Sequence, residues 1–297
     1  MTLERLKRIT FFDIFLTLFM IVIIIITLYP FLHILAISLN NAVDTVKGGI
    51  HILPRDFTFA NYIEIFGSND RLSQAFMMSI LRTVVGTITG IAASTMLAYT
   101  LSRKDFVFNK PIALMLVITM FVGGGLIPDY MLIRHLGLIN KFSVYILPML
   151  LNAFNVIVIR SFMDNLPVAL EESAKIDGAN DFTIFVRIII PLSLPVIATI
   201  SLFLAVGQWN SWFDTYLYAR SNDNLTTLQY ELMKILDNAS TSGSSGVNTH
   251  TAKYVAKQTS PQSIKMAITI IATVPILLVY PFLQKYFVTG LTLGAVK

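Results

Sequence analysis

The sequence predicts an all-α membrane protein, a polytopic bundle of about six transmembrane helices. Three observations carry that expectation. Of 297 residues, 55% are hydrophobic and only 13% are charged, with a mean hydropathy of +0.70. A soluble domain typically carries about 25% charged residues, so this chain lacks the polar surface to coat a water-soluble globule. Six segments, at about 11–37, 74–101, 111–128, 142–163, 186–210 and 264–289, approach or exceed the length of a spanning helix, which needs roughly 20 mostly apolar residues. Finally, the segments are too long and too uniformly apolar for barrel strands, which alternate over about ten residues. Lipid cannot satisfy free backbone groups, so such spans are helices.

Taken in order, the first run follows Arg5, Lys7 and Arg8 and has its core at Ile14–Leu28. It continues through Tyr29-Pro30-Phe31 with no small-residue cleavage site, which reads as an uncleaved first helix rather than a signal peptide. The short loop Ser102–Lys110 carries Arg103, Lys104 and Lys110. Positive residues in short loops favour the cytoplasmic side, so the chain is expected to start there, and six spans return the C-terminus to the same side. Within the third run, Gly123-Gly124-Gly125 and Pro128 predict a break near the outer surface, with a short interfacial piece up to Lys141. Two outer segments are long: Asn40–Arg71 is mixed polar and aromatic. The other, about 211–263, contains DNASTSGSSGVNTHT and reads as loop. The whole, 1–297, is expected to form one membrane domain.

Several classes of chemistry are excluded. The chain has no cysteine, hence no disulfide, thiolate metal site or cysteine nucleophile. No GxxxxGK[ST] loop is present to cradle phosphates. His33, His51, His135 and His250 are isolated in sequence and fit no metal-ligand spacing. A nucleophile elbow of GxSxG type is missing too. The formal charge of +5 comes from scattered residues, so no nucleic-acid partner is expected. The central parts of the six runs contain no carboxylate, Asp13 lying at the first boundary. That argues against a proton relay and leaves a sodium-coupled carrier open.

The segment at about 164–185, between the fourth and fifth runs, stands apart. From 171 it reads EESAKIDGANDFTIFVRIIIP. Pro167 can start a helix, and 168–177 make about three turns, roughly 15 Å long. Leu170, Ala174 and Asp177 fall near one face, with Ser173 beside them. Gly178 can take the positive φ that ends a helix, and Asn180 or Asp181 can cap the next one. Pro191 and Pro195 should kink the start of the fifth run. Spacing alone is equally compatible with a solvated loop.

The run Glu172-Ser173-Ala174-x3-Gly178-x9-Ile188-x-Ile190-Pro191 resembles the EAA motif, EAA-x3-G-x9-I-x-LP, of ABC importer permeases. The core Lys175-Ile176-Asp177-Gly178-Ala179 is similar to its sugar-importer version. Ser173 replaces an alanine and Ile190 a leucine, which preserve size or hydrophobicity. The resemblance implies a type I importer transmembrane domain. It makes Glu171, Glu172, Ser173, Ala174, Asp177, Gly178, Ala179 and Pro191 a coupling segment that docks on a separate ATPase. That ATPase, a dimer, uses ATP and Mg; this chain is expected to bind no cofactor or metal and to catalyse nothing. The C-terminus, Gln284-Lys285-Tyr286-Phe287-Val288-x-Gly290-Leu291-Thr292-x-Gly294-Ala295-Val296-Lys297, resembles the tail of the smaller maltose-type permease. By that resemblance Gly290, Leu291, Gly294 and Lys297 reach toward the ATPase. TMFVGGGLIP with LIRHLGLIN is similar to the oligosaccharide branch that includes pectin-fragment transporters. The implied partners are a second homologous permease, the ATPase dimer, an external solute-binding protein and a carbohydrate, in a bacterial cytoplasmic membrane. Import of another solute, or an autonomous ion-coupled carrier, are the alternatives.

For the cargo path, Asn152 and Asn155 are three apart and are expected on one face of the fourth helix, while Gln208 and Trp209 end the fifth. Amides and aromatic faces suit sugars, although asparagines can simply glue helices and a tryptophan can mark the aromatic belt. Arg82 and Arg160 lie near span ends, where snorkelling to the interface is the favoured expectation and a bundle-facing partner the other.

Overall fold

A computed structural model describes residues 11–67, 70–242 and 260–293. Among the described residues the structure is helical, with an isolated antiparallel bridge between Asn40 and Phe57. The helices are α1 (Phe11–Ser38), α2 (Ala42–Val46), α3 (Ala60–Gly67), α4 (Asp70–Ser102), α5 (Asn109–Phe121), α6 (Leu126–His135) and α7 (Ala153–Met163). They continue as α8 (Ala169–Ile176), α9 (Asp181–Ile184), α10 (Ile190–Leu192), α11 (Leu194–Asn210), α12 (Phe213–Tyr218), α13 (Leu228–Ser242) and α14 (Pro261–Leu293). Two compact units result, Met1–Asn69 with Ile235–Ile271, and Asp70–Lys234 with Ala272–Lys297.

In the first unit, α1 exposes its apolar side chains from Phe11 to Phe31. The hydroxyls of Thr17 and Thr27 donate to the carbonyls of Asp13 and Ile23 at 2.7 and 2.8 Å, so this lipid-compatible surface hides its polar groups. At the end of α1, Ala36, Ile37 and Ile50 form a small core with Met266. The segment that follows α1 is an ordered knot around buried Asn40. Its Oδ1 accepts from the backbone N–H groups of Arg55 and Asp56, both at 2.9 Å, and its amide donates to Asp44 and Thr45, both at 3.1 Å. Asn61 ties α3 to the end of α1 by donating to the Ser38 carbonyl at 2.9 Å. The Asn40 amide, aided by the Arg55 guanidinium and by Lys47, holds the Asp44 carboxyl below its ordinary value against the effect of burial.

The second unit is organised by α4. Gly86, Gly90, Ser94 and Ala98 recur every four residues on its buried face, and such a stripe lets two backbones approach closely. Helix α11 packs there: Leu204 Cδ1 lies 3.4 Å from where a Cβ on Gly90 would sit, and Gln208 Nε2 only 2.6 Å from the same point on Gly86. Toward the other end of α4, Ala98 and Leu101 join Val156, Ile159 and Met163 of α7, and Val196 and Ile200 of α11. The stripe predicts a graded effect. Gly86→Ala should destabilise by about 1–3 kcal/mol through overpacking, because Gln208 must leave its place. Gly90→Ala should cost clearly less. Thermal unfolding of the two variants in detergent measures the difference.

Among the described residues three helices, Phe11–Ser38, Arg71–Ser102 and Gln262–Val279, are long and apolar enough to cross a membrane. Two bent pairs are long and apolar enough only when each is taken together, Phe142–Met149 with Ala153–Met163 at 49°, and Asp181–Leu192 with Leu194–Asn210 at 80°. The fifth segment bends at the prolines that predict a kink there, the fourth breaks where the sequence reads a continuous run, and local chemistry explains both. Pro148 lacks an N–H to donate and stands in a 3₁₀ turn, after which the Asn152 side chain caps α7 by accepting from the Asn155 N–H at 3.3 Å. In the fifth segment, a π turn at Phe185–Ile189 precedes Pro191, and the bend follows at Ser193 before Pro195.

The third segment ends early. Helix α5 stops at Phe121, about 20 Å long at 1.5 Å per residue, short of a hydrocarbon core of about 30 Å. The three glycines follow, and Gly125, with φ +88°, starts α6. A further correction concerns 211–263: composition reads it as loop, but α12 and α13 occupy much of its first part. Leu225 and Leu228 bury the start of this arm, and Ser79 Oγ of α4 accepts from the Leu228 N–H at 2.8 Å. Residues 243–259 lie outside those described.

Candidate functional site

Helix α8 and the turn after it form the first candidate site. The apolar Ala174 is buried and packs into the core beneath, with Ala179 against the same cluster. Gly178 ends the helix with φ +80°, the positive value its position predicts. The Gly178 N–H donates to the Lys175 carbonyl at 3.0 Å, and the Ala179 N–H to that of Ala174 at 2.9 Å. These paired bonds are those of a Schellman stop, and they satisfy carbonyls that would otherwise be free. Asn180 then caps α9 by accepting from the Thr183 N–H at 2.8 Å. One side of α8 is therefore fixed to the bundle through an alanine and a capped turn.

The other side faces outward. Glu172, Ser173 and Asp177 are exposed, and Ile176 is 86% exposed. Phe182 of α9 is 71% exposed as well. Glu171 differs: it turns toward the bundle and forms an ion pair with Arg103, just beyond the end of α4. Pro191 is exposed at the bend into α11. The site residues read from the motif thus divide into an inward set (Glu171, Ala174, Ala179) and an outward set (Glu172, Ser173, Asp177, Gly178).

A second site lies in the interior of this unit. Arg82 is fully buried and meets Asp214 in a two-pronged ion pair, Nη2 to Oδ2 at 2.5 Å and Nη1 to Oδ1 at 3.2 Å. Its Nε and Nη2 donate to Gln208 Oε1 at 3.1 and 2.9 Å, and its guanidinium stands 4.4 Å over the Tyr145 ring. Gln208 Nε2 donates in turn to the Tyr145 carbonyl at 3.1 Å. Snorkelling, the expectation for Arg82, is therefore corrected: the side chain is enclosed and its partner is Asp214. The sequence signal was weak because Asp214 lies beyond the apolar run, yet α12 folds it back. Arg160 is partly buried, its Nε 3.5 Å from Asp164.

Among the residues read as a cargo path, Gln208 and Trp209 are both buried and engaged within the chain. Trp209 Nε1 donates to the Ala272 carbonyl at 2.8 Å, and its ring meets Phe76 edge-on at 6.0 Å. Asn155 is buried on α7, whereas Asn152 is exposed at the cap before it, so the two do not share a helix face. For the tail, Gly290 and Leu291 fall in the last turns of α14, while Gly294 and Lys297 lie outside the described residues. Among the described residues no group of three histidine, aspartate or glutamate side chains could hold a metal.

Comparison with known proteins places this geometry. The chain is 40% identical over 288 residues to the polygalacturonan/rhamnogalacturonan transport system permease YtcP of Bacillus subtilis strain 168, covering 96% of this chain and 98% of that one. It is 38% identical to LplC of the same organism, covering 92% and 90%. The crystal structure of a bacterial ABC transporter involved in import of the acidic polysaccharide alginate contains a chain that superposes with a TM-score of 0.85. That match has 27% identity over 96% of this chain and 100% of the other. Residues 105–293, which include both α8 with its Gly178 turn and the bent fifth segment, match the family of binding-protein-dependent transport system inner membrane components. With helices built for lipid and a short surface helix hung from the bundle by a glycine stop, the chain belongs to that family: it is a multi-pass permease subunit of an ABC transporter, a transport component rather than an enzyme.

Proposed function

We propose that this permease admits a carbohydrate, an oligosaccharide, into a bacterial cell, and that α8 with the Gly178 turn receives the force of a separate ATPase. The observation that carries the coupling role is the two-sided build of α8. Its inner side is anchored by Ala174 and the Schellman stop, while Glu172, Ile176 and Asp177 are left to a partner. An 86% exposed isoleucine next to carboxylates is what an interface offers: an apolar anchor with a polar rim. The ATPase, a dimer using ATP and Mg, would supply the energy, since this sequence contains no phosphate loop. The family description supports an external binding protein as the donor of cargo, and a second homologous permease completes the path. The carbohydrate reading is supported by the names of the relatives. In this reading both termini are cytoplasmic, with 164–185 on that side and the tail from Gly290 and Leu291 through Gly294 to Lys297 approaching the ATPase. In the same reading Asn152 and Asn155 offer amides to the cargo path, with Gln208 and Trp209 shaping its wall.

Two measurements test this. With the transporter reconstituted from all its subunits, Glu172→Arg should lower cargo-stimulated ATP hydrolysis about tenfold or more, as a reversed charge does at a docking surface. Unchanged subunit assembly together with unchanged stimulated hydrolysis would overturn the coupling role. Uptake of a panel of labelled oligosaccharides tests the cargo; stimulation by amino acids or peptides instead would replace the carbohydrate reading.

A further inference from the structure

The inner end of α4 holds the coupling segment at two points, one on each side of the Gly178 turn. The first is the ion pair between Arg103 and Glu171, whose side chains are both mostly shielded from solvent, at 20% and 14% exposure. The second is Tyr99, whose hydroxyl donates to the Asp181 carbonyl at 3.4 Å. Both points belong to one assembly, because the Arg103 guanidinium stacks over the Tyr99 ring at 4.5 Å and also donates to Ser102 Oγ at 2.8 Å. Asn109 braces it from behind, capping the end of α4 through bonds to the Leu101 and Arg103 carbonyls at 2.7 and 3.1 Å. A planar guanidinium that stacks and pairs at once is held in one orientation. This differs from the exposed Lys175–Asp181 pair at 3.5 Å, which is the kind of surface contact that contributes little.

We infer that Arg103 and Glu171 are a positioning pair that makes α4 move with the coupling segment. This rests on the coupling role proposed above and deepens it. Glu171 lies in the first turn of α8, where a carboxylate is already favoured by the helix N-terminus. It nevertheless turns away from the outward face and toward α4. A displacement of α8 is thereby delivered at the inner end of α4. The small-residue stripe from Ala98 to Gly86 hands it on to α11, and the Arg82–Asp214 pair lies at the far end of the same contact. Without the pair, the segment would be held mainly by the apolar seat of Ala174 and by the Tyr99 hydroxyl, and α8 could tilt on the glycine turn without taking α4 along. The positive residue that sequence reads as a marker of topology thus acquires a mechanical role.

The test is a charge exchange in the fully reconstituted transporter, comparing Arg103→Glu, Glu171→Arg and the double variant, with Glu172→Arg alongside. Each single exchange should leave the ATPase co-purifying with the permease and should lower cargo-stimulated hydrolysis roughly five- to tenfold, while the double exchange restores most of it. Restoration by the reversed pair is a result that a general loss of folding does not produce. If Glu171→Arg releases the ATPase, Glu171 touches the partner and the positioning role is overturned. If the double variant is no better than the singles while Glu172→Arg impairs coupling, the pair is again overturned but the docking role of α8 survives. If Glu172→Arg and both singles leave stimulated hydrolysis unchanged, the coupling reading fails together with the pair.

Discussion

Arg82→Leu is expected to destabilise the permease by about 3–5 kcal/mol, the cost of leaving one member of a buried ion pair without its partner. Arg82 has no exposed surface and Asp214 only 9% of its side chain, so neither charge can be recovered by water. The lost interactions extend past the pair: Gln208 Oε1 loses two donors and Tyr145 a cation over its ring. The double variant Arg82→Leu with Asp214→Leu should be much milder, since removing both partners removes the desolvation penalty as well. Thermal unfolding in lipid nanodiscs of the two single variants and the double distinguishes these outcomes. Equal losses in Arg82→Leu and in the double variant would mean that packing, and not the unpaired carboxylate, sets the cost.

Gly178→Pro should abolish cargo-stimulated ATP hydrolysis in the assembled transporter. Proline fixes φ near −65° and has no N–H, whereas Gly178 stands at φ +80° and donates to the Lys175 carbonyl at 3.0 Å. Both features of the Schellman stop are lost, so α8 cannot end in time for Asn180 to cap the next helix. Gly178→Ala isolates the conformational part: no atom lies within 4 Å of the added Cβ, leaving strain of about 1–2 kcal/mol from the left-handed backbone. A graded loss, mild for alanine and complete for proline, is expected in hydrolysis assays with and without cargo. Full activity of the proline variant would remove the turn from the coupling path.

How much of this was legible in the sequence depends on the range of the interaction. The Gly178 stop, the Asn180 cap and the break after Phe121 are local: each follows from a residue's own backbone preference and its neighbours within four positions. So do the bends at Pro148 and at Pro191–Pro195, although the sequence does not state their angles. The stripe of Gly86, Gly90, Ser94 and Ala98 was also readable as a four-residue repeat. Its meaning depends on which helix lies against it, which no local pattern states. Helix α13 was missed because serine, threonine and asparagine argue for loop, while Leu225 and Leu228 bury the start of this arm through tertiary contact.

The sequence by itself determined that the chain is built for lipid and that a short polar segment with a glycine stop lies between two apolar runs. Those follow from composition and from spacing over a few turns of helix. Only the tertiary structure decided which way each polar side chain faces. Glu171 and Glu172 are adjacent and chemically alike, yet one pairs with Arg103 and the other is exposed. Arg82 could have snorkelled to the interface, but α12 brings Asp214 to it from 132 positions away. In a medium without water a charge must find its partner inside the protein, and that partner is chosen by how the helices pack.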